Sequence, residues 1–546
     1  MSSLRSLASL LVVANVAKAE YVWPTKYDHF EDMLVMHSGY RRFGFSDSPD
    51  IGLTVATVVV PCSFGSNTVG RQTAAEWVRT AFHDMATFDH TTGAGGLDAS
   101  IMYEVGRGEN AGTAFNSTLS DIWEFVSPRT SVSDMIALAL VASVASCGGP
   151  EVPLRLGRID ATEAGPEGVP EPQDSLGTIQ ADFDRMGLTT EEMIALVACG
   201  HTLGGVHSED FPDITGPEDV SPSNVPKFDN THTQFDTAVV DEYLNNEGIN
   251  PLVFGKNDTT NSDKRVFAAD GNVTMHKLAD ATTFSSTCAD VFEKMINVVP
   301  STVTLSEPIQ LIKVKPYLDT FKLNSDGSKF VLELHVRLRS TKGKGYANPP
   351  SSVTIDVLDR KGNRTSLQAA HATLKGGQSY GFFGETFDWY LLSTELDVGA
   401  GVESFKIHVS TSEGEEVLDN GGTGGYPFND GVISGTQSCL DTTGTQGNVT
   451  FDLYSAVRSD LVQDLDGVPW IRFAHRIPQQ GVVTPKIVIE KISMAEVSTS
   501  VGGYRFFKGK ATTPSSGWST RYDLGITLED GKEVTREFIH TPSTSC

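Results

Sequence analysis

The stretch RTAFHD, Arg79–Asp84, decides the fold, because it places an arginine and a histidine one turn apart in a predicted helix. Thr73 and Glu76 have the spacing of a capping box, which predicts that this helix begins near Thr73. From that start, Arg79 and His83 fall on the same face as the apolar side chains. A buried guanidinium needs an anionic or strongly polar partner. The pattern therefore fits either a buried reactive face or a rotated helix whose Arg79 reaches water.

A second predicted helix carries another histidine on its apolar face. It begins at Thr189 or Thr190, whose hydroxyl can cap the first turn, and it runs into the sequence CGHTLGG, Cys199–Gly205. His201 lies on the apolar stripe near the end of this helix, and the neighbouring glycines leave room for a bulky group. Taken alone, a histidine in such a position is more often a hydrogen-bonded core residue than a ligand.

Two inward-facing histidines on separate helices favour a cofactor bound between them. Zinc fits poorly, because the sequence contains no HExxH or CxxC motif and Arg79 would repel a cation. Haem fits better, since one neutral histidine can bind the iron while the other works with Arg79 on the open face.

The composition is that of an acidic globular protein. Its 546 residues are enough for roughly two to four domains with a large core. Hydrophobic residues make up 39% and charged residues 20% of the chain, as in ordinary soluble proteins. The net charge of −27 and the pI of about 4.8 argue against nucleic acid and anionic membranes as partners.

The N-terminal residues have the layout of a signal peptide. Arg5 precedes the apolar run Leu7–Ala17, and Ala17, Lys18 and Ala19 form a small-x-small cleavage site, which predicts a signal peptide at 1–19. A membrane anchor is the alternative, but the run is shorter than the ~20 apolar residues that span a bilayer. We therefore expect a secreted protein without a transmembrane helix. Six cysteines agree with that route, as do the sequons at Asn116, Asn257, Asn272, Asn363 and Asn448.

Hydrophobic periodicity divides the chain into a helical part and a strand-rich part. The predicted helices are 73–86, 131–146, 189–201 and 280–297. After Pro300 the pattern becomes that of strands, predicted at 329–338, 351–359, 404–411, 486–493 and 521–528. The predicted fold is a mainly α domain, residues 20–299, followed by an all-β region of one or two sandwich-like modules, 300–425 and 426–546. The Gly-rich segment 419–431 is predicted to be a linker or a long loop.

The helical domain resembles the plant, fungal and bacterial haem peroxidase superfamily, most closely the secreted fungal class II enzymes. RTAFHD is similar to the distal motif R-x-x-[FW]-H-D of that family, and CGHTLGG is similar to its proximal motif. Segments 154–161 and 169–175 are similar to the stretch that leads to the proximal helix. The resemblance covers residues 60–298 and none of the β-rich region. It implies an enzyme that reduces hydrogen peroxide with electrons from small aromatic, phenol-like donors at the haem edge.

The resemblance implies a role for each residue around haem b. His83 would move a proton between the two peroxide oxygens, and Arg79 would polarise the O–O bond. His201 would bind the iron, and Asp270 would accept the second ring N–H of His201. His207 would contact a haem propionate. Three further distal residues complete the set: the aromatic Phe82, Asn110 as the partner that orients His83, and Glu104 in the same network.

Two calcium ions are implied by the same resemblance, because oxygen-bearing side chains stand at the family's ligand positions. Asx and Ser turns are the simpler explanation for such residues. The distal site would comprise Asp84, the Gly96 carbonyl, Asp98 and Ser100. The proximal site would comprise Thr202, Asp229, Thr231, the Gln234 carbonyl and Asp236.

Departures from the family restrict the expected electron donor. Gln72, Glu76 and His207 stand where manganese peroxidases have three acidic residues, so Mn(II) oxidation is not expected. Leu196 stands where lignin peroxidases expose a tryptophan, and no tryptophan occurs between positions 123 and 389. The expected enzyme is a generic peroxidase acting on phenol-like donors. The alternatives are a binding or structural protein with a degenerate peroxidase fold, and a Mn-oxidising or peroxygenase-like enzyme.

The cysteines and the β-rich region complete the expectations. Cys147 stands where class II enzymes have a disulfide cysteine, with Cys62 as its partner, and Cys439 with Cys546 would close the last β module. Cys199 either pairs with Cys288 or remains a buried thiol. The β-rich region contains no recognisable catalytic cluster; dimerisation, binding of cell-wall polysaccharide and shielding of the haem edge are the roles considered for it.

Overall fold

The computed structural model describes residues 21–40, 54–65, 69–346, 348–443, 447–462 and 468–546. It confirms the predicted fold class, a mainly helical domain followed by an all-β region. The predicted signal peptide, residues 1–19, lies outside the described residues. Within the ranges given above, no helix combines the length and the apolar character needed to cross a membrane.

Eleven α-helices lie between Asp28 and Asn297 in the described residues, and the four predicted ones are observed close to their expected bounds. The helices of the described residues are α1 (Asp28–Val35), α2 (Thr73–Met85), α3 (Ala114–Ile122), α4 (Val132–Ser146), α5 (Leu176–Arg185), α6 (Thr190–Gly200), α7 (Pro212–Thr215), α8 (Ala238–Asn245), α9 (Ser262–Phe267), α10 (Val273–Leu278) and α11 (Ala281–Asn297).

The starts of α4 and α6 follow directly from their sequences. Ser131 caps α4, a helix that is apolar on all sides and almost wholly buried, and Thr189 forms a capping box with Glu192 at α6. Helix α2 begins at Thr73 as expected, but the predicted capping box there is wrong. Its N-cap is Gln72, whose side chain does not cap the helix, and the Glu76 carboxylate is bound by Arg71 instead of the helix start.

Apart from one two-residue strand near the N-terminus, the strands of the described residues begin at Val314, and the five predicted strands correspond to β3, β4, β8, β15 and β18 as numbered below. The strands are β1 (Ser38–Gly39), β2 (Val314–Leu323), β3 (Lys329–Arg339), β4 (Ser352–Leu358), β5 (Arg364–His371), β6 (Gln378–Tyr380), β7 (Thr386–Asp397), β8 (Ser404–Thr411), β9 (Gly414–Leu418), β10 (Tyr426–Pro427), β11 (Val432–Ser434), β12 (Cys439–Asp441), β13 (Asn448–Arg458), β14 (Trp470–Gln479), β15 (Val482–Ser493), β16 (Ala495–Val501), β17 (Tyr504–Pro514), β18 (Arg521–Thr527) and β19 (Glu533–His540).

The strands form two successive modules, both antiparallel. In the first, β3 pairs with β2 and β7, and β4 pairs with β5 and β8, around one apolar core. In the second, the sheet β11-β13-β17-β16 faces the sheet β15-β14-β18-β19 across a core that includes Phe451, Phe473 and Leu524. The segment predicted as a linker or long loop is mainly a loop, with β10 pairing with β8 near its end.

The β region is packed against the helical domain rather than tethered to it. Helix α1 buries Phe30 and Met33 in the helical core, while the neighbouring Val35 packs with Trp389 of β7. Strand β1 continues this segment by pairing with β6 of the first β module. The second module contacts the helical core through the apolar side chains of β15. The segment 21–40, predicted as part of the helical domain, therefore also belongs to the β region.

Three disulfides account for all six cysteines. Cys62 is joined to Cys147, which ties the segment before α2 to the end of α4. Cys199 is joined to Cys288 rather than remaining a thiol, so α6 is linked to α11. Cys439 is joined to the C-terminal Cys546 and closes the second β module.

Candidate active site

A cavity of about 680 Å³ separates α2 from α6 and is lined by both predicted histidines. Arg79, Phe82 and His83 line it from α2, and Leu196 and His201 line it from the α6 side. A volume of this size lies within the range of cofactor and ligand pockets. The two histidine helices therefore face one shared space, as the sequence predicts.

His83 is oriented by an amide partner on the distal side of the cavity. Its Nδ1 lies 2.8 Å from the Asn110 Oδ1, and the Asn110 amide donates to the main-chain carbonyl of Glu104 at 3.1 Å. Because the Asn110 oxygen accepts from Nδ1–H, the proton-free nitrogen of a neutral His83 is Nε2. Glu104 joins this network through its backbone; its carboxylate accepts from the Gly165 N–H at 2.6 Å.

Arg79 is partly buried beside His83 and lines the same cavity. Its Nη2 donates to the Ala111 carbonyl at 3.1 Å, and its guanidinium lies 4.6 Å from the centre of the Phe115 ring. Burial lowers the pKa of Arg79 to about 10, while the charge of Asp210 opposes that shift. The side chain is therefore a cation at neutral pH, and the rotated-helix alternative is wrong.

Burial also lowers the pKa of His83 well below its usual range, and the adjacent Arg79 charge adds to this effect. The hydrogen bond with Asn110 acts in the opposite direction. A histidine with a depressed pKa is neutral when a substrate arrives and can accept a proton. The distal side thus holds a proton acceptor and a fixed positive charge next to each other.

On the proximal side, the partner of His201 is Asp263 and not Asp270, so the assignment of Asp270 is wrong. The His201 Nδ1 lies 2.8 Å from the Asp263 Oδ2, which also accepts from the Asn250 amide at 2.9 Å. Asp270 instead accepts from the Thr274 N–H and hydroxyl, as the residue that begins the turn into α10. With Nδ1 held by a carboxylate, Nε2 of His201 is the nitrogen that can bind a metal.

The geometry around His201 suits a flat, bulky group. The Phe228 ring stacks on the imidazole, with 4.2 Å between ring centres and 12° between planes. A Cβ on Gly200 would meet no atom within 4 Å, so open space adjoins the backbone one residue before His201. Gly204 has a φ of 85°, and a Cβ there would lie 2.5 Å from the Ala75 Cβ of α2. The residues present therefore fit haem, with His201 as the iron ligand.

The predicted distal calcium ligands surround one buried loop. The two oxygens of the Asp84 carboxylate accept from the Ala99 and Ile101 N–H groups at 2.7 and 2.9 Å. Asp98 accepts from the Ser100 N–H at 3.1 Å. Burial, followed by the charge of Asp98, raises the pKa of Asp84 well above its usual range. A divalent cation between these carboxylates would remove that repulsion, so this loop, which also contains Gly96, fits calcium.

The predicted proximal calcium ligands also converge. Thr202 donates to the Asp236 carbonyl at 2.9 Å, and Thr231 donates to the Asp236 carboxylate at 2.9 Å. The Gln234 N–H donates to the Thr231 carbonyl at 2.7 Å. Asp229 is fully buried, and its Oδ2 accepts no hydrogen bond from the described residues. Burial raises the pKa of Asp229 to about 7, and a cation bound at this position would counteract that shift, so the loop fits calcium.

The positions compared with a manganese site lie together but do not form one. Glu76 is held by Arg71 in a largely buried ion pair. Gln72 donates to the His232 carbonyl at 2.9 Å, and His207 is a half-buried cavity residue whose pKa is lowered by burial. One neutralised carboxylate is a poor set of ligands for Mn²⁺.

Sequence reasoning missed Asp263, Arg71 and Phe228. Asp263 lies in the first turn of the short helix α9, and Asp270 lies just before the short helix α10. Hydrophobic periodicity does not distinguish the two positions. Arg71 stands five residues before Glu76, and its charge is the feature of the sequence that could have indicated the ion pair between them. Phe228 comes directly before the predicted calcium loop, and nothing in its local sequence indicates a ring contact with His201.

Two helices place a histidine on each side of one cavity. An amide orients the first histidine and a carboxylate orients the second, and this arrangement is that of the helical peroxidases. Residues 64–282 match the family model described as Peroxidase. The chain is 36% identical to a WSC domain-containing protein of Arthroderma benhamiae over 528 residues. The aligned residues are 96% of this chain and 68% of that protein.

Two further relatives carry peroxidase names. L-ascorbate peroxidase 5 of Arabidopsis thaliana is 35% identical over 164 residues, 30% of this chain and 57% of that protein. The mitochondrial cytochrome c peroxidase of Emericella nidulans is 34% identical over 152 residues, 27% of this chain and 42% of that protein. The chain thus spans about half the length of these two relatives. It belongs to the peroxidase family, with an additional all-β region after the peroxidase domain.

Proposed function

We propose that this protein is a secreted haem peroxidase that reduces hydrogen peroxide and oxidises small, phenol-like donors at the haem edge. The observation that carries the proposal is the pair of histidines across one cavity, His83 held by Asn110 and His201 held by Asp263. Haem b would be bound through Nε2 of His201, and two calcium ions would occupy the distal and proximal loops. When bound, haem supplies the redox chemistry of peroxide reduction.

The distal residues would handle the proton. Nε2 of neutral His83 accepts the proton of hydrogen peroxide and returns it to the departing oxygen, which leaves as water. Asn110 keeps the proton of the ring on Nδ1, so that Nε2 stays available. Arg79, which is fixed by the Ala111 carbonyl, stabilises the negative charge that develops as the O–O bond breaks.

The proximal residues would position the cofactor. Asp263 fixes the His201 ring and draws its Nδ1 proton, which raises the basicity of Nε2 toward iron. Asn250 holds the Asp263 carboxylate in turn. Phe228 restricts rotation of the imidazole by stacking on it.

The donor assignment rests on what the cavity provides. Glu76 is neutralised by Arg71, which disfavours Mn(II), and Leu196 is buried where an exposed tryptophan would otherwise pass electrons to the surface. The cavity itself connects with solvent, which favours small reductants that reach the haem edge directly. Secretion is proposed from the N-terminal layout and from the three disulfides.

The full chain, expressed with a supply of haem, tests the proposal. We expect a Soret band that shifts when hydrogen peroxide is added, and steady-state oxidation of a phenol such as guaiacol with little oxidation of Mn(II). Purified protein without haem would contradict a peroxidase and favour a degenerate binding protein. Mn(II) turnover exceeding that of the phenol would contradict the donor assignment alone.

A further inference from the structure

Asp210 lines the cavity on the side of Arg79 and is partly exposed to solvent. It follows His207 in a tight turn, in which the Asp210 N–H donates to the His207 carbonyl at 3.2 Å. The side chain is half-buried and lines the same cavity as Arg79 and His83. Its carboxylate is therefore both accessible from solvent and close to the predicted site of peroxide cleavage.

The Asp210 carboxylate and the Arg79 guanidinium both lie close to Gly112. A Cβ on Gly112 would lie 3.0 Å from the Asp210 Oδ2 and 3.6 Å from the Arg79 Nη1. Gly112 has a φ of 96°, a conformation that side chains rarely adopt, so this space stays free for the two charged groups. Phe211 lies beside them, with its ring centre 5.4 Å from the Arg79 guanidinium.

The Asp210 charge has no counter-ion at bonding distance. No described side chain forms an ion pair with it within the 4 Å that defines the other ion pairs of the chain, whereas Glu76 and Asp263 of the same cavity are both engaged. The Asp210 charge nevertheless acts on other residues of the cavity. Burial lowers the pKa of Arg79 and of His207, and the Asp210 charge opposes both shifts. Lys227 is the other lysine or arginine among the lining residues, and it stands beside Gly205 on the side of His201.

We infer that Asp210 selects electron donors by charge, so that neutral and cationic aromatic reductants are favoured over reductants that carry a carboxylate. This inference rests on the proposed peroxidase function. A donor that approaches the haem edge past Asp210 meets a negative charge that is not neutralised by an ion pair with any described side chain. Hydrogen peroxide is neutral and enters without this penalty.

Three phenols of similar reactivity and different charge provide the test: tyramine as the cation, 4-ethylphenol as the neutral donor and 3-(4-hydroxyphenyl)propionate as the anion. We expect kcat/KM of the holoenzyme to fall from tyramine to the propionate. In Asp210→Asn, the ratio of kcat/KM between cation and anion should fall roughly fivefold, as expected for removal of one charge at a partly solvated distance. Each rate is normalised to the neutral phenol, so a general change in activity cancels.

Asp213 provides the matched control, because it lines the same cavity but is more exposed than Asp210. Asp213→Asn should change the ratio by less than about twofold, because solvent screens a charge at that position. Asp210→Glu keeps the charge and should keep the ratio. In the wild-type holoenzyme, raising the ionic strength to about 0.5 M should compress the ratio, whereas Asp210→Asn should show little further change.

An unchanged ratio in Asp210→Asn, in an enzyme that oxidises all three phenols, overturns the inference. If that variant fails to fold, a wild-type ratio that is insensitive to salt overturns it equally. A wild-type protein without a Soret band, or without turnover of any phenol, contradicts the proposed function instead. The two failures are therefore distinguishable.

Discussion

Nδ1 of His201 lies 2.8 Å from Oδ2 of Asp263, and this contact joins the end of α6 to the first turn of α9. The carboxylate is 2% exposed in its side chain and is further held by Asn250. It is therefore a fixed negative charge behind the predicted iron ligand. Such partners control how strongly a ligating histidine donates to its metal.

Replacing Asp263 with asparagine should keep the size of the side chain and remove its charge. We expect turnover to fall by about 10–100-fold and the reduction potential of the bound iron to rise, because His201 becomes a weaker donor. Steady-state kinetics and spectroelectrochemistry measure the two effects. Asp270→Asn is the control, since Asp270 bonds Thr274 in the turn before α10, and an equal effect in that variant would contradict the assignment.

His83→Ala should slow the reaction with hydrogen peroxide by about 10²-fold or more, because the distal proton acceptor is lost. Stopped-flow absorbance at the Soret band measures this step without an electron donor. The exposed His90, whose ring Nδ1 lies 3.1 Å from the Arg185 carbonyl and which does not line the cavity, provides the control variant His90→Ala. An unchanged peroxide rate in His83→Ala would refute the role of His83.

The sequence predicted four of the eleven α-helices of the described residues, and most of the distal site, for a common physical reason. Burial of the α2 face forces Arg79 and His83 inward together, and the 3.6-residue period makes that visible in one chain. The Asn110 contact was available only from the family resemblance. Five strands of the β region were predicted from the alternation that shows which side of a sheet is buried, whereas others, such as β7 and β13, were not predicted.

The parts that the sequence did not predict depend on contacts between distant segments. The choice between Asp263 and Asp270 is decided by how α9 packs on α6, and both residues look alike locally. The pairing of β1 with β6 joins residues over 300 positions apart, and a two-residue strand leaves no periodic pattern. Capping of α2 failed for a similar reason, since the tertiary ion pair with Arg71 takes the Glu76 carboxylate away from the helix start.

Removal of calcium should destabilise the helical domain, because the buried carboxylates at Asp84 and Asp229 would lose their cation. Chelation should lower the thermal unfolding midpoint by roughly 5–10 °C, the shift expected when a ligand at about 100 times its Kd is removed. Calorimetry with EGTA, followed by return of Ca²⁺ or Mg²⁺, measures this, and only Ca²⁺ should restore the midpoint. Asp229→Asn should reduce the response to EGTA, whereas Asp241→Asn, at an exposed position, should leave it unchanged.

The charge cluster between α1 and the first β module should be sensitive to removal of one member. Lys315 lies 2.7 Å from Asp32 and 3.1 Å from Glu31, and Arg337 contacts the same two carboxylates, all of them buried. Lys315→Met would leave an uncompensated buried charge, so we expect a loss of about 3–5 kcal/mol in the free energy of unfolding.

Lys313→Met is the matched control for Lys315→Met. Lys313 forms an ion pair with Glu416 at 2.7 Å, but both side chains are more than 40% exposed. Exposed pairs contribute about 0–1 kcal/mol, so this variant should unfold near the wild-type denaturant concentration. Equal losses in the two variants, measured by urea denaturation, would contradict the importance of the buried cluster.

His37, which precedes β1, should link stability to pH. Burial lowers the pKa of His37 to about 4, although the contact of its Nε2 with the Leu34 carbonyl opposes this shift. The buried Nδ1 has no hydrogen-bond partner among the described residues, so a proton there is not stabilised. The unfolded chain, with a histidine pKa near 6.5, binds a proton that the folded protein does not. Stability is therefore complete above about pH 6.5 and falls as the pH drops toward 4.

The size of this effect follows from the difference between the two pKa values. A difference of about 2.5 between the two pKa values corresponds to about 3 kcal/mol in the free energy of unfolding, because one proton is taken up on unfolding. His37→Gln can still donate to the Leu34 carbonyl but cannot titrate, so the slope of unfolding free energy against pH should decrease by about one proton between pH 4 and 6.5. Urea denaturation at several pH values measures the slope, and His90→Gln controls for replacement of an exposed histidine. If His37→Gln retains the wild-type slope, another group carries the acid sensitivity of the N-terminal segment.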